Sequence, residues 1–175
     1  MALKSFDELI TRLKGKRKCT VALVEAHDEH ALEAVIQAKD IVSSILVGTR
    51  EKIEAELLVL GENPKEYEIV EVPEGMNPVV CAAGLIHEGR ADFLMKGKMM
   101  TGDLLKGVLS PEANLRTGAL MSHVMMVELP GYHKLMCLTD GGMCTYPNLE
   151  QKKHIVENAV RFFHGLGYER PNVAA

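Results

Sequence analysis

The amino-acid sequence predicts an α/β fold, with an open, mostly parallel sheet and helices on both faces. Short apolar runs, typical of strands buried on both sides, alternate with amphipathic stretches of helical period, and each strand–helix pair takes roughly 20–30 residues. The chain has 175 residues, of which 47% are hydrophobic and 25% charged. It therefore has enough apolar side chains for a core that needs neither disulfide bonds nor a metal ion.

The first third of the chain supplies two predicted strands and three predicted helices. Ser5 and Glu8 have the spacing of a capping box, and Leu9, Ile10 and Leu13 give the helix that begins there an apolar side. The elements that follow are a strand over residues 19–24, a helix capped by Asp28, a strand over residues 44–47, and a helix from Thr49 to Leu60.

The rest of the chain continues the alternation as far as residue 108 and then departs from it. The predicted elements are a strand over 67–72, a helix from Asn77-Pro78 to Gly89, a strand over 93–96, a short helix capped by Thr101, a long strand within 118–129, a strand over 135–138, and a long helix from Asn148 to Leu166. Residues 172–175 have the pattern of a strand that has only begun. The chain thus looks truncated relative to a complete fold of this class.

Charge and cysteine content exclude several classes of protein. Lysine and arginine number 20 against 24 aspartate and glutamate residues, a net charge of −4, so the chain has no electrostatic footprint for nucleic acid or anionic lipid. The four cysteines form no C-x-x-C pair and are expected to be reduced. With no signal-peptide pattern and no apolar stretch of membrane-spanning length, we expect a cytoplasmic protein.

Ligands of such sheets bind outside the carboxyl ends of the strands, which here lead into residues 27–28, 48–49, 96–98 and 139–142. The most informative junction has Lys96, Gly97 and Lys98 just before Thr101 and Gly102, so that two cations and two glycines lie at a predicted helix start. Backbone amides, the helix dipole and a lysine would together hold a phosphate group. The alternative is an exposed lysine loop, since the spacing matches neither the P-loop nor the dinucleotide fingerprint.

A second candidate region runs from Asn114 to His123. Arg116 precedes a glycine at the start of an apolar stretch and can fork onto phosphate or carboxylate oxygens. Ser122 and His123 are adjacent, so on a strand they would point to opposite faces and could not pair as nucleophile and base, and a core position is the more typical interpretation of His123.

Asp140, after a predicted buried strand, is a candidate base, ligand group or cap, with a cap the most typical of the three. The histidines and cysteines of the second half do not have zinc-ligand spacing on one element.

An ordered set of segments resembles the phosphate acetyl/butyryl transferase family, and its butyryl branch more closely than its acetyl branch. The segments are 91–97 with Thr101, 104–105, 115–118 with 122–124, 130–132, 138–140, Pro147 with Leu149, 155–160, 166–167 and Pro171. The resemblance covers the chain from about Phe6 onward. It implies a fold like that of isocitrate and isopropylmalate dehydrogenases, with residues 1–139 in a first domain on the acyl-phosphate side and residues 140–175 starting a second.

The resemblance also implies a chemistry: transfer of a short acyl group, acetyl or butyryl, between coenzyme A and inorganic phosphate, with no metal and no resident cofactor. Arg116 is the best match to a substrate-binding arginine of the family and would act in catalysis. The other positions that the resemblance assigns to the substrate cleft are Lys96, Gly97, Thr101, Ser122, His123 and Asp140. Acyl-CoA, phosphate and acyl phosphate are the implied partners, with a homodimer or higher homo-oligomer as the implied assembly.

Two departures from the family keep an alternative open. Residue 144 is cysteine where the family commonly has asparagine. The chain also stops a little past the middle of a family member, before the segment that would hold the base for the thiol. The chain is therefore either an acyltransferase, alone or completed by a second polypeptide or a self-associated partner, or a non-catalytic phosphate- or CoA-binding module or remnant. A decarboxylating dehydrogenase ranks last, because neither a nicotinamide fingerprint nor a metal-binding aspartate set is visible.

Overall fold

A computed structural model describes residues 3–174. The elements are α1 (Phe6–Leu13), β1 (Cys19–Val24), α2 (Glu29–Gln37), β2 (Val42–Gly48), α3 (Arg50–Val59), a 3-10 turn (Pro64–Glu66), β3 (Glu68–Glu71), α4 (Pro78–His87), β4 (Phe93–Lys96), α5 (Thr101–Val108), β5 (Met125–Val127), β6 (Met136–Leu138) and α6 (Leu149–Gly165). None of the helices within residues 3–174 is long and apolar enough to cross a lipid bilayer.

The chain divides into two compact units. Residues 14–117 form the first, called here the sheet unit, and residues 3–13 with 118–174 form the second, called here the terminal unit. The division of the chain into domains before and after residue 140, which the resemblance implies, stays a prediction.

The sheet unit is built on four parallel strands in the order β3-β2-β1-β4. Strand β1 lies inside the sheet, where Leu23 is level with Leu46 of β2 and with Met95 of β4. A strand with parallel neighbours on both sides and helices on both faces needs apolar side chains in both directions. The run Val21–Val24, buried throughout, meets that need.

Helices cover both faces of this sheet, which confirms the predicted fold class. Because side chains alternate along a strand, Val21 and Leu23 pack on one side with buried residues of α2 and α3. Ala22 and Val24 pack on the other side with buried residues of α4, and α5 adds the partly buried Leu104 and Val108. The comparison with isocitrate and isopropylmalate dehydrogenases stays a prediction.

Several predicted helix starts are confirmed and two are corrected. Asp28 accepts a hydrogen bond from the Ala31 amide at 3.0 Å, and Asn77 accepts one from the Val79 amide at 2.8 Å. Thr49 stands at the cap position of α3 but makes no capping hydrogen bond, while the neighbouring Arg50 amide donates to the Glu71 carboxylate at 2.7 Å. Thr101 is likewise not a cap, since it is the first helical residue of α5 and Met100 holds the cap position.

In the terminal unit, the prediction of a long strand within 118–129 is wrong. Only Met125–Val127 forms a strand, paired antiparallel with Met136–Leu138. The backbone at His123 is held by side chains instead of a neighbouring strand, because Asp140 accepts its amide proton and the Thr139 hydroxyl donates to its carbonyl. Residues 172–174 form no strand, and the last residue of the predicted one, Ala175, lies outside the described residues.

The final helix follows its prediction closely. Asn148 and Gln151 form a reciprocal capping box, in which each side chain accepts the other residue's backbone amide at 2.9 Å. Only Ile155 and Ala159 of α6 are buried, so one narrow stripe of this helix packs within the terminal unit.

Candidate functional site

The candidate site of the sheet unit lies where the direction of strand order reverses. Strands β2 and β3 lie on one side of β1, and β4 lies on the other, so β1 and β4 are the neighbouring strands at which the strand order changes direction. This is the switch point at which ligands bind in open α/β sheets. The two loops touch directly, with the Gly97 amide donating to the Val24 carbonyl and the Lys98 amide to the Glu25 carbonyl, each at 2.8 Å.

Gly97 permits this close approach of two backbones. A Cβ atom at residue 97 would lie 2.2 Å from the Glu25 carbonyl oxygen and 2.7 Å from that of Val24, far inside van der Waals contact. The glycine is buried, and the atoms it faces belong to the backbone of the central strand and cannot turn aside. Residue 97 therefore fixes the loop after β4 against the end of β1.

The start of α5 leaves its amides available to a ligand. Met100 at the cap position offers no side-chain hydrogen bond, so within the described chain the amides of Thr101 and Gly102 have no capping side chain, while the Asp103 amide donates to the Met100 carbonyl at 3.0 Å. Lys96 lies beside them, and its ammonium donates to the carbonyls of Met99 at 3.1 Å and Gly97 at 3.3 Å. The lysine thus braces the loop while its charge stays next to an amide-rich helix end, an arrangement that favours an anion.

Arg116 belongs to the same unit and lies in the extended stretch that follows α5. Its side chain is exposed, and its guanidinium has no ion-pair or hydrogen-bond partner among residues 3–174. Asn114, two residues earlier, has a left-handed φ of 50°, which turns the chain into this stretch. A guanidinium without an internal partner keeps its five N–H donors for an anionic ligand.

Asp140, Ser122 and His123 come together in the terminal unit. One Asp140 carboxylate oxygen accepts the His123 amide at 2.7 Å, and the other accepts the Cys144 amide at 2.6 Å. Partial burial acts to raise the pKa of the Asp140 carboxyl, but these backbone amide donors outweigh it and hold the pKa below its ordinary value. Asp140 thus joins two loops through its carboxylate, and it does not cap a helix, because the next described helix begins at Leu149.

The core interpretation of His123 is wrong, because this residue is exposed. Its ring lies against Gly141, where a Cβ atom would come within 2.8 Å of Nδ1. Ser122 is half-buried, and its hydroxyl oxygen accepts a hydrogen bond from Asn158 Nδ2 at 3.0 Å. The adjacent histidine and serine therefore have separate partners, consistent with the prediction that they cannot form a nucleophile–base pair.

Asn158 is a residue that the sequence reasoning missed. Its Nδ2 also donates to the Leu120 carbonyl at 2.9 Å, so it ties the Leu120–Ser122 segment to α6. The signal was present in the sequence, because Asn158 falls between the apolar residues Ile155 and Ala159 on one side of the helix. A polar side chain within a buried stripe needs a partner, and here that partner is the loop.

Neither the cavity nor the cysteines offer an alternative site. An open cavity of about 480 Å³ in the sheet unit is lined by residues that include Pro73, Glu74, Met76 and Glu112. The carboxylates of Glu74 and Glu112 would repel an anionic ligand there. All four cysteines are free, and within residues 3–174 no three His, Cys, Asp or Glu side chains group as metal ligands.

Comparison with known proteins identifies the family. The family model described as phosphate acetyl/butaryl transferase matches residues 63–175. The chain is 41% identical over 174 residues to phosphate butyryltransferase of Clostridium acetobutylicum, covering 98% of this chain and 58% of the relative. It is 35% identical over 171 residues to phosphate acetyltransferase of Thermotoga maritima, covering 96% of this chain and 57% of the relative. The chain thus spans well under two thirds of the length of these relatives.

Solved structures give the same result at the level of the fold. A branched-chain phosphotransacylase from Enterococcus faecalis V583 superposes with a TM-score of 0.71 at 30% identity, over 87% of this chain and 54% of that one. The EutD phosphotransacetylase from Staphylococcus aureus, at 18% identity and a TM-score of 0.72 over 92% of this chain and 57% of that one, shares the fold. With these likenesses and the match over residues 63–175, the chain belongs to the phosphate acetyl/butyryl transferase family.

Proposed function

We propose that this protein is a phosphate acyltransferase, which moves a short acyl group such as acetyl or butyryl between coenzyme A and inorganic phosphate. The observation that carries the proposal is the 41% identity to a phosphate butyryltransferase over 98% of the chain. The geometry is in keeping with it, because the sheet unit presents an uncapped helix start and an unpaired arginine, two features that suit a phosphate group.

In this proposal the thiolate of coenzyme A attacks the carbonyl carbon of an acyl phosphate, and phosphate leaves. Arg116 neutralises negative charge on the phosphate and on the developing oxyanion, as electrostatic catalysis requires. Lys96, Gly97 and Thr101 hold the phosphate group through the lysine charge and the first amides of α5.

Ser122, His123 and Asp140 are substrate-binding positions in this proposal on the strength of the family resemblance, and within the terminal unit the Asp140 carboxylate accepts the His123 and Cys144 amides. The reaction as proposed requires neither a metal nor a resident cofactor, because the cationic side chains supply the positive charge. Coenzyme A thioester, phosphate and acyl phosphate are then the only partners that the chemistry needs.

We also propose that the protein is cytoplasmic and forms a homodimer or higher homo-oligomer. Four free cysteines suit a reducing compartment. Phe162 of α6 is exposed, as are Phe6, Ile10 and Leu13 along α1, and exposed apolar side chains of this kind favour association. Sedimentation velocity over a range of protein concentrations measures the assembly directly.

The test of the activity is phosphate-dependent consumption of acetyl-, propionyl- and butyryl-coenzyme A by the purified chain, followed by loss of thioester absorbance. If residues 1–175 hold all the groups that the reaction needs, turnover is expected, and Arg116→Ala is then expected to lower it about 100-fold or more, as removal of an oxyanion-stabilising donor does. Arg161→Ala is the matched control, since Arg161 is an exposed arginine on α6 outside the proposed site.

The outcomes separate the two candidate functions. Turnover that survives Arg116→Ala would remove Arg116 from the mechanism. A folded sample that binds coenzyme A or phosphate without turnover would assign the chain to the alternative function, a binding module that needs a partner chain.

A further inference from the structure

Glu25 and His27 form a pair of titratable side chains at the end of β1, and the acyl transfer proposed above gives them no role. Glu25 immediately follows β1 and has a left-handed φ of 54°, a conformation that a residue with a Cβ rarely adopts. Nδ1 of His27 lies 3.4 Å from Oε2 of Glu25. Backbone strain of this kind persists where the surrounding structure enforces it, and it concentrates at functional sites.

The pair lies beside the loop that carries the proposed phosphate site. Lys96 is level with Val24, the residue before Glu25, in the parallel pairing of β1 with β4. Beyond the strands the contact continues, because the Lys98 amide donates to the Glu25 carbonyl at 2.8 Å. The loops after β1 and β4 therefore run side by side, so that a group on one can reach a ligand held by the other.

The pair faces the carboxyl edge and not the core. Ala26, between the two residues, donates its amide to the Val47 carbonyl at 3.1 Å and packs in the buried cluster with α2 and α3. Because the side chains of Glu25 and His27 meet each other, both lie away from that cluster. Helix α5 packs on the opposite face of the sheet from α2 and α3, so its uncapped first amides also lie away from that cluster.

The nitrogens of His27 are uncommitted. Nδ1 is buried and makes no hydrogen bond with any residue that the structure describes. Nε2 likewise has no hydrogen-bond partner among residues 3–174 and, unlike Nδ1, reaches the surface of a side chain that is 20% exposed. A carboxylate beside Nδ1 holds a proton on that nitrogen, which leaves Nε2 able to take and return another.

The neighbouring titratable groups are engaged or unsuited to proton transfer. Asp28 caps α2, Glu71 accepts the Arg50 amide, and the Lys96 ammonium donates to two carbonyls of its own loop. Lysine and arginine supply charge at neutral pH but keep their protons. Within the described part of the sheet unit, His27 is thus the side chain at this edge that suits proton transfer.

The phosphate side of the proposed reaction needs such a transfer. If the bond between the acyl carbon and oxygen broke without a proton, a dianionic acyl phosphate would release the phosphate trianion, a very strong base. Delivery of one proton lets the group leave as hydrogen phosphate instead. A residue that gives this proton in one direction takes it from hydrogen phosphate in the other, as general acid–base catalysis requires.

We propose that His27, oriented by Glu25, carries the proton to and from phosphate, an inference that rests on the proposed acyl transfer. The family resemblance places the base for the thiol outside residues 1–175, and His27 has no part in activating the thiol. Its role is confined to the phosphate, which the neighbouring loop after β4 and the start of α5 hold in that proposal.

The step balances without a further reactant. In the direction of thioester synthesis, the thiol gives its proton to its own base, and the sulfur electron pair forms the C–S bond with the acyl carbonyl carbon. The C–O bond to phosphate breaks and its electron pair leaves with the phosphate, while the His27 imidazolium gives its Nε2 proton to a phosphate oxygen. Water then returns a proton to Nε2 and removes the one held by the thiol base.

The orientation of His27 is tested by NMR of the chain labelled with ¹⁵N-histidine, with the His27→Phe spectrum used to assign the resonances. Long-range ¹H–¹⁵N correlations are expected to show the Nδ1-protonated tautomer of neutral His27 in the wild type and to lose that preference in Glu25→Gly. Glycine removes the carboxylate and adopts a positive φ without strain, so this variant is expected to fold. An unchanged tautomer in Glu25→Gly would overturn the role given to Glu25.

The contact with phosphate is tested by titrating the same sample with inorganic phosphate and with sulfate at about pH 8, where an ordinary imidazole is neutral. Hydrogen phosphate has one O–H group to donate to Nε2, whereas sulfate, a dianion of the same shape, has none. Phosphate is therefore expected to move the Nε2 resonance of His27 more than sulfate does. The preference for phosphate over sulfate is expected to fall about 2- to 10-fold in His27→Phe, as for loss of one hydrogen bond.

Two further variants separate proton transfer from charge. His30→Phe changes an exposed histidine of α2 and is expected to leave the preference for phosphate unchanged. Lys96→Met is expected to weaken the binding of both anions alike, because it removes a positive charge and not the proton acceptor. If the chain turns over acyl-CoA, His27→Phe is expected to lower the rate about 100-fold or more, as loss of a general acid–base group does.

The results distinguish this inference from the proposed function. Equal effects of phosphate and sulfate on His27, an unchanged preference in His27→Phe, or turnover unaltered by that substitution would overturn the inference and leave the proposed acyl transfer standing. Failure of a folded sample to bind either phosphate or coenzyme A would overturn the proposed function and this inference together.

Discussion

The sheet unit and the terminal unit are held together in different ways. In the sheet unit, two buried apolar clusters cover the two faces of a four-stranded sheet. In the terminal unit, Leu3, Leu135, Ile155 and Ala159 are the buried apolar side chains within the described residues. Hydrogen bonds between side chains and the backbone stabilise the terminal unit to a greater extent, among them those of Asp140 and Asn158.

This difference decides how each unit responds to substitution. Burial of apolar surface is non-directional, so the sheet unit depends on the volume and shape of its side chains. A hydrogen bond from a side chain to a loop depends on geometry and charge, so the terminal unit depends on a few polar groups and on their protonation. Changes of volume should therefore act mainly in the sheet unit, and changes of charge mainly in the terminal unit.

The largest expected effect is that of Leu46→Ala, which creates a cavity in the sheet. Leu46 is fully buried in β2, and truncation of such a side chain costs about 2–5 kcal/mol of unfolding free energy. Leu149→Ala is the matched change in the terminal unit, where the side chain is 80% exposed, and it is expected to stay within about 0.5 kcal/mol. Hydrogen exchange at increasing urea concentration, resolved to peptides of β1, β2 and α6, measures both.

Equal losses from the two leucine substitutions would contradict the comparison, because they would mean that the exposed residue on α6 is buried in solution. Such a result would indicate that another chain or a second copy covers α6.

The next effect is that of Gly97→Ala, a single methyl group at the closest backbone approach in the sheet unit. Because the new Cβ would lie 2.2 Å from the Glu25 carbonyl oxygen, the loop after β4 must move, at a cost of about 1–3 kcal/mol. Gly84→Ala is the control, since Gly84 lies in α4 with no atom within 4 Å of a new Cβ. Alanine is the better helix former, so that variant is expected to gain roughly 0.5–1 kcal/mol in the same exchange measurement.

If Gly97→Ala leaves the unfolding free energy unchanged, the loop after β4 can move without cost and does not hold the end of β1. A destabilised Gly84→Ala would show instead that any added methyl group disturbs this unit.

The same contrast explains which parts of the fold the sequence predicts. Strands β1 and β2 lie where their apolar runs predict them, because a strand buried on both faces needs an uninterrupted run. The stretch around His123 has a similar apolar pattern, yet its backbone is held by the Thr139 hydroxyl, which donates to the His123 carbonyl, and by the Asp140 carboxylate, which accepts the His123 amide. Those donors and acceptors lie 16 and 17 residues away, and no local pattern announces them.

The candidate site divides along similar lines. The helix that begins after Lys96 was predicted from local spacing, although its cap position is Met100 and not Thr101. The hydrogen bond that Asp140 accepts from the His123 amide was not predicted, because the two residues lie 17 positions apart in the sequence. Sequence patterns indicate which residues reach the carboxyl edge, while tertiary contacts decide which of them are left without partners.

Asp140→Asn tests the dependence of the terminal unit on charge. The asparagine would direct an NH₂ group at one of two backbone amides that now donate to the carboxylate, so a loss of about 1–2 kcal/mol at neutral pH is expected. The folded pKa of Asp140 is lowered, so its stabilisation is present above the unfolded pKa of about 3.9 and is lost as the pH falls through the lower folded value.

Urea unfolding at pH 7, 5 and 3, followed by circular dichroism, measures this dependence. The difference in unfolding free energy between the wild type and Asp140→Asn should be smaller at pH 3 than at pH 7. The control is Glu169→Gln, which changes an exposed carboxylate of the same unit and should match the wild type at all three pH values. A difference that stays constant down to pH 3 would show that the variant acts through packing and not through charge.

The smallest expected effects compare a helix start in each unit. Asn148→Ala removes a cap from α6 that forms a reciprocal pair with Gln151, and we expect a loss of about 1 kcal/mol. Thr49→Ala changes the corresponding position of α3, where Glu71 already accepts the Arg50 amide, and the change is expected to stay within about 0.5 kcal/mol. Amide exchange in the first turn of each helix resolves the two effects separately.

Glu71→Gln sharpens this last comparison, because it changes the acceptor of the Arg50 amide from a charged to a neutral oxygen while keeping its length. Exchange in the first turn of α3 should then accelerate more than in Thr49→Ala, since hydrogen bonds to charged acceptors are the stronger ones. Should Thr49→Ala prove the more damaging of the two, the threonine hydroxyl must cap α3 in solution. The start of α3 would then depend on its own cap residue, as the start of α6 does, and this difference between the units would disappear.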